Sequence, residues 1–224
     1  MKRLLPQLLF CPPPENGEGL AGYRLRLAEA NGYPSPYWLT LASGKGQRLG
    51  QGKEDLEVIA ALTGHSVAGL SAQFFGKKPI PPRFLNVLHP RICPECLRDK
   101  PILRKLWDVS LVVCCPMHGR ILVDTCPSCG HQLSWNRPSV VQCSCGFDLR
   151  EAGSPNVGPL TAALTGAIAA EIDGLEAQLT SRASCPRMDF DIPQLKLTAE
   201  ELLMLVLFLG AYSAKDLQPR TLKR

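Results

Sequence analysis

Apolar residues recur at helical spacing through the first third of the chain. Between Gly19 and Ala30, Leu20, Tyr23 and Leu27 fall on one face, and Asn31-Gly32 supplies a C-terminal stop. Ser35-Pro36 fits an N-cap followed by proline at the first helical position, with Tyr37, Trp38 and Leu41 as the apolar contacts of a second short helix. Asp55 to Leu62 predicts a third, with Leu56, Ile59, Ala60 and Leu62 apolar. Thr63-Gly64-His65 reads as a tight turn, and Ser66 as the cap of a fourth helix that carries Val67, Leu70 and Phe74 and stops at Gly76. Residues 1–17 read as an irregular lead-in. Ser43-Gly44-Lys45-Gly46 and Gly50-Gln51-Gly52 read as connectors.

The far end of the chain is helical again. Leu160 to Leu179 is alanine-rich with scattered acids. Leu197 to Tyr212 opens with a capping box, Thr198-Ala199-Glu200-Glu201, and is apolar nearly all round, so it needs burial against the rest of the chain or a partner. Between the helical parts, from Arg91 to Arg150, the helical period gives way to a cysteine-rich block. Pro79 to Pro82 bounds it on one side, and a stretch of Gly, Ser, Pro and Asn at 153–160 bounds it on the other.

Composition matters here through cysteine. The chain has ten, and eight lie between Cys93 and Cys145. No apolar run reaches the roughly 18 residues of a membrane span. The start, Met1-Lys2-Arg3-Leu4-Leu5-Pro6, is a poor secretory signal, cut short by Pro6 and Pro12-Pro13-Pro14 with no small-residue cleavage site. A cytoplasmic location is therefore expected, and closely paired cysteines in a reducing compartment point to metal rather than disulfides.

Zinc takes four tetrahedral sulfur and nitrogen ligands. Cys93-Pro94-Glu95-Cys96 is followed, after eighteen residues, by Cys115-Pro116-Met117-His118. Cys126-Pro127-Ser128-Cys129 is followed, after thirteen, by Cys143-Ser144-Cys145. These make one set of three cysteines and a histidine and one set of four cysteines, hence two structural Zn2+ ions. Cys114 is the spare. It can exchange with Cys115, which is preferred for its two-residue gap to His118. Glycines at 130 and 146 let backbone amides turn towards the thiolates. The expected fold is mostly α with small zinc-stabilised α+β modules: an N-terminal helical region with a helix-turn-helix (1–90), two tandem zinc-binding modules (91–152) and a helical C-terminal extension (153–224).

Both ligand sets are full, whereas a catalytic zinc keeps an open position and a nearby carboxylate. The deaminase signature is absent: no Pro-Cys pair occurs, the order being Cys-Pro, and no His-x-Glu occurs. Ser43-Gly44-Lys45-Gly46 lacks the form of a phosphate-binding loop. No enzyme activity is expected. The net charge of +5 is uneven, with +7 in the first 150 residues, which is consistent with a phosphate-bearing partner or with a solvated basic surface. The hairpin of Asp55 to Phe75 reads either as a DNA-binding helix-turn-helix or as an ordinary helical hairpin. Its second helix has few side chains suited to base edges.

The run Arg91-Ile92-Cys93-Pro94-Glu95-Cys96-Leu97, Trp107, Cys115-Pro116-Met117-His118-Gly119, Leu122-Val123-Asp124-Thr125-Cys126-Pro127-Ser128-Cys129-Gly130 and Cys143-Ser144-Cys145-Gly146-Phe147-Asp148-Leu149 resembles the TniQ family. Glu18-Gly19-Leu20, Tyr23 to Asn31 and the Leu56 to Leu70 hairpin extend the resemblance over about residues 10–150. It implies a target-selection factor of TnsABC-type transposons, some of which work with a CRISPR RNA-guided effector complex. The implied role bridges that complex, or a DNA site, to the AAA+ ATPase TnsC. The chain is shorter than long TniQ and TnsD members yet carries a helical extension, which could serve as a homodimerisation element or a docking helix, or be the start of a region lost here. Expected partners are therefore TnsC, a CRISPR effector or target DNA, and DNA backbone, with no membrane. The alternative is a TnsD-like, sequence-specific site selector. Lys77, Lys78, Arg104, Lys105 and Trp107 are candidate partner or DNA contacts, with Trp107 also fitting a core position.

Overall fold

The computed structural model describes residues 7–42, 53–75, 84–86, 88–158 and helical positions 161, 162, 164–166, 168 and 169. The connectors, Lys77 and Lys78, the proline linker and the Leu197–Tyr212 helix lie outside the described residues. Helices α1 (Leu20–Ala30), α2 (Tyr37–Ala42), α3 (Lys53–Thr63), α4 (Val67–Phe75) and α5 (Pro94–Asp99) supply most of the regular structure, and one two-residue strand pair, β1 (Cys114–Cys115) with β2 (Arg120–Ile121), is antiparallel. No helix among the described residues is long and apolar enough to cross a membrane.

The expected mostly helical fold with small sheet elements is what forms. α1 starts at Gly19 and stops at Asn31, and Gly32 takes a positive φ, as the sequence predicts. Ser66 caps α4 by accepting the Gly69 amide at 3.1 Å. The turn between α3 and α4 has Gly64 in the left-handed region. Two details differ. Trp38, expected to pack inward, is 48% exposed while Leu39 is buried, because the six-residue α2 turns Leu39 rather than Trp38 to the core. Val67 is likewise exposed, and α4 buries only Leu70 and Phe74. Helix α5 lacks an apolar period long enough to announce itself. Cys93 is its N-cap and Pro94 occupies the first turn.

Helix α1 is the element both cores share. Leu20, Tyr23, Leu27 and Ala28 join Leu39, Leu56, Ile59, Leu62, Leu70 and Phe74 in one cluster. Leu25, on the opposite side, belongs to the cluster of Phe84, Ile92, Leu97, Leu103, Leu106, Trp107 and the buried cysteines. A helix buried on two sides cannot show a single apolar stripe, so the face read from Leu20, Tyr23 and Leu27 is only half of its buried surface. Polar contacts fix its position. Glu18, 0% exposed, takes two hydrogen bonds from Arg26 (2.8 and 2.7 Å) and one from the Glu15 amide (3.0 Å). The Arg24 guanidinium lies 3.6 Å from Asp55 of α3. The Gly19 amide donates to Leu103 O, and the Val140 amide donates to Glu29 Oε2 from the far end of the cysteine block.

Residues 7–17 of the lead-in are pinned to the helices. The Leu8 amide donates to Leu62 O, and the Tyr23 hydroxyl donates to Pro12 O. Residues 154–157 also pair with the block: the Ile121 amide donates to Pro155 O, the Val157 amide donates to Gly119 O, and Ser154 Oγ donates to Ile121 O. The pairing therefore continues past residue 152.

Gly22 sets how closely α1 approaches the block. A Cβ there would lie 2.7 Å from Leu103 Cβ and 3.0 Å from Leu103 O. Gly22→Ala would gain about 1 kcal/mol of helix propensity. Overpacking against a backbone already held by Gly19 costs about 1–3 kcal/mol. Gly22→Ala is expected to lower the urea midpoint; an unchanged or raised midpoint would contradict this packing.

Candidate metal centres

The first cluster is built from two short elements facing each other. Cys93 and Cys96 sit on the first turn of α5, where the Leu97 amide donates to Cys93 O. Cys115 ends β1, and a tight turn brings His118 back, closed by the Gly119 amide donating to Cys115 O at 2.8 Å. The bridge between Ile92 and Val123 ties the two halves together. His118 Nδ1 then lies 3.4, 3.3 and 3.6 Å from the sulfurs of Cys93, Cys96 and Cys115, and Cys96 and Cys115 sulfurs are 3.5 Å apart. The other imidazole nitrogen, Nε2, is 3.5 Å from Asp99 Oδ2. A carboxylate in that place orients the ring so that Nδ1 faces the thiolates, a common arrangement behind metal-bound histidine.

The second cluster repeats a glycine knuckle. The Gly130 amide donates to Cys126 O, and the Gly146 amide donates to Cys143 O, both at 2.9 Å. Both glycines have positive φ, 71° and 91°, which an L side chain rarely adopts. The bridges Thr125–Gln132 and Gln142–Asp148 close each knuckle. Cys126 and Cys145 sulfurs are 3.7 Å apart, and Cys129 and Cys143 sulfurs are 4.0 Å apart. The edge of a tetrahedron with metal–sulfur bonds of about 2.3 Å is about 3.8 Å, so the spacing fits a single ion. The ligand atoms of each set lie within 4.8 Å of one another, and each set could hold one metal ion. The side chain of His131 is exposed, and its carbonyl accepts from the Cys126 amide.

Cys114 faces the other way. Its sulfur donates to Thr165 Oγ1 at 3.1 Å, fastening the helical residues after 160 to the block, while Cys115 points to the cluster. The choice between adjacent cysteines is thus made by strand alternation across β1.

Crowded thiols resist ionising together. Cys115 beside it pushes the Cys93 thiol up to about 12, with burial adding to the shift and Cys96 opposing it. Burial first, then the neighbouring thiols, pushes Cys143 up to about 12, while the Phe147 amide beside it leads in holding Cys145 down to about 7. A divalent cation reverses that balance, because metal binding and thiol deprotonation are coupled.

The contact residues expected from sequence are less available than their types promise. Trp107 is 1% exposed and lies in the core, so it offers no surface to a partner. Arg104 is half-buried, and its charge favours the Cys96 thiolate. Lys105 is also half-buried, and burial lowers its pKa. The structure does expose an apolar patch that periodicity did not announce. Leu9 is 91% exposed and Phe10 62%, and with Tyr33 and Trp38 they gather around Asn31, whose side chain hydrogen-bonds the Phe10 backbone in both directions. A cleft of about 130 Å³ lies among Gln7, Leu9, Tyr33, Trp38 and Leu62.

A helical hairpin is joined through a shared helix to a block with two four-residue Cys/His clusters, each of which could hold a metal ion. The TniQ family model matches residues 9–122, half of the chain, and the chain belongs to the TniQ family. TniQ proteins are non-catalytic transposition proteins, and the family implies target selection with partners in the transposition machinery. No curated protein matches the chain.

Cys114→Ala is expected to keep two ions per chain by native mass spectrometry, whereas Cys115→Ala keeps one and unfolds the first module. Loss of an ion from Cys114→Ala alone would contradict the ligand assignment.

Proposed function

We propose that the chain is an adaptor in DNA transposition that links a target-recognition complex, a CRISPR RNA-guided effector, to the AAA+ ATPase TnsC. The observation that carries this reading is closure: on a TniQ chain, each cluster has four ligands, and thiolate-rich tetrahedral sets suit Zn2+ as a structural ion. The ions in this reading stabilise a shape and do no chemistry, so the chain works by binding and not by catalysis. Free, closely spaced thiols suit a cytoplasmic location.

The helical region to residue 90, the modules of 91–152 and the extension of 153–224 then act as one bridge between partners. The apolar patch of Leu9, Phe10, Tyr33 and Trp38 supports a protein-binding role. Its cleft is far smaller than the roughly 300–1,000 Å³ of small-molecule sites and suits a partner's side chain. DNA contact in this reading goes to phosphates and is salt-sensitive.

The TnsD-like alternative needs a helix that reads bases. The exposed positions of α4 are Val67, Ala68, Gly69 and Ala72, preceded by the exposed cap Ser66. Gln73, its one amide side chain, donates to Glu15 O at 3.0 Å within the chain. That surface has little with which to discriminate base edges.

The test is retention of the neighbouring AAA+ ATPase by the full chain, with ATP and random-sequence duplex DNA. Retention requiring ATP and DNA is expected, and a Phe10→Asp, Trp38→Ala double substitution should reduce it roughly tenfold or more without loss of zinc. No retention, together with selective binding of one DNA sequence that is lost on altering α4, would replace the adaptor with the site selector.

A further inference from the structure

We propose that Arg137 is the charge partner of the second ligand set, its buried guanidinium balancing the negative charge that four thiolates leave around one divalent ion. The inference rests on the metal reading of that set and adds a residue outside it. Arg137 is 1% exposed, and its Nε, Nη1 and Nη2 have no hydrogen-bond partner. A buried guanidinium with nothing opposite it is costly, because arginine stays charged and its desolvation is not offset.

Its surroundings point to the cluster. Arg137 belongs to the loop between the two knuckles, and its amide donates to Trp135 O at 3.0 Å. The Asn136 carbonyl accepts from Ser144 Oγ at 3.1 Å, which ties this loop to the residue between ligands Cys143 and Cys145. Trp135, Val140 and Cys143 share one buried cluster, so the loop packs on the ligand turn. Burial pulls the Arg137 guanidinium down to about 10, and a thiolate at Cys143, ahead of the Glu29 carboxylate, opposes that shift. Glu29 is exposed, and its Oε2 accepts the Val140 amide.

The chemistry supplies the reason. Four thiolates around a divalent cation leave two negative charges in excess, where three thiolates and a neutral imidazole leave one. The set with the larger excess is the one whose ligand turn is tied to the loop that carries this buried arginine. With thiolates in place, the cation gains an electrostatic partner in a low-dielectric setting.

The test uses the full chain loaded with zinc, Arg137→Met, Arg137→Lys, and native mass spectrometry across a chelator series. Arg137→Met is expected to release the second ion at roughly ten- to hundredfold lower chelator concentration, the range for groups behind metal ligands. The first ion should stay, and Arg137→Lys should remain within severalfold of wild type. In the cobalt-loaded protein, the thiolate-to-metal charge-transfer band of Arg137→Met should move to lower energy, a change that lost packing alone would not produce. If Arg137→Met does not fold, Arg137→Gln against Arg137→Lys makes the same comparison. An indifferent second ion in the uncharged variant, or equal loss in the lysine variant, overturns the proposal. A wild-type chain with no second ion overturns the metal reading and this proposal with it.

Discussion

The convergence of seven sulfurs and one imidazole into two four-ligand sets, each of which could hold one metal ion, is the constraint on which the fold of residues 91–150 turns. The block has one pair of two-residue strands, a six-residue helix and isolated bridges, so hydrogen-bonded ladders give it little cohesion. Its turns bring four ligand atoms within 4.8 Å in each cluster, close enough that neighbouring thiols oppose one another's ionisation. A cation converts that opposition into attraction, and structural zinc in small modules contributes about 10–16 kcal/mol of apparent binding energy.

Among the described residues, the two clusters are linked to the helical hairpin through α1. Cys93, Cys96, Cys115, Cys126 and Cys143 are members of the same buried cluster as Leu25, Leu103 and Trp107. The other side of α1 holds the α3–α4 hairpin through Tyr23, whose ring is 5.4 Å from that of Phe74. Gly22 allows the close approach, and the Glu18–Arg26 pair keeps the helix start in place. The helical hairpin and the metal block therefore share one mechanical element. That arrangement suits the proposed bridge, because the helical hairpin and the cysteine block are connected through a buried helix rather than a loose linker.

The grouping of the eight residues was legible because metal coordination imposes spacing on sequence, and they converge in two sets that could each hold an ion. Helices α1, α3 and α4 were legible because their apolar positions run up to clear punctuation: Asn31-Gly32 after α1, Gly64 after α3 and the Ser66 cap before α4. What remained hidden depends on tertiary context. The orientation of Cys114 is set by β1, too short to show a period. Asp99 meets His118 only because α5 faces the β1–β2 turn. Trp38 and Trp107 are the same residue type with opposite fates, since packing of neighbouring elements decides which aromatic is covered. Arg137 carries no motif; its significance comes from burial without a partner.

Hydrogen exchange on the full chain, before and after stepwise chelation, tests the central claim most directly, because α1 has no ligand of its own. If coordination holds both cores through that helix, removing the first cluster's ion will speed exchange of the Tyr23–Ala28 amides together with those of α5. Unchanged protection of α1 while α5 exchanges freely would contradict the account and leave the helical region standing independently of the metal.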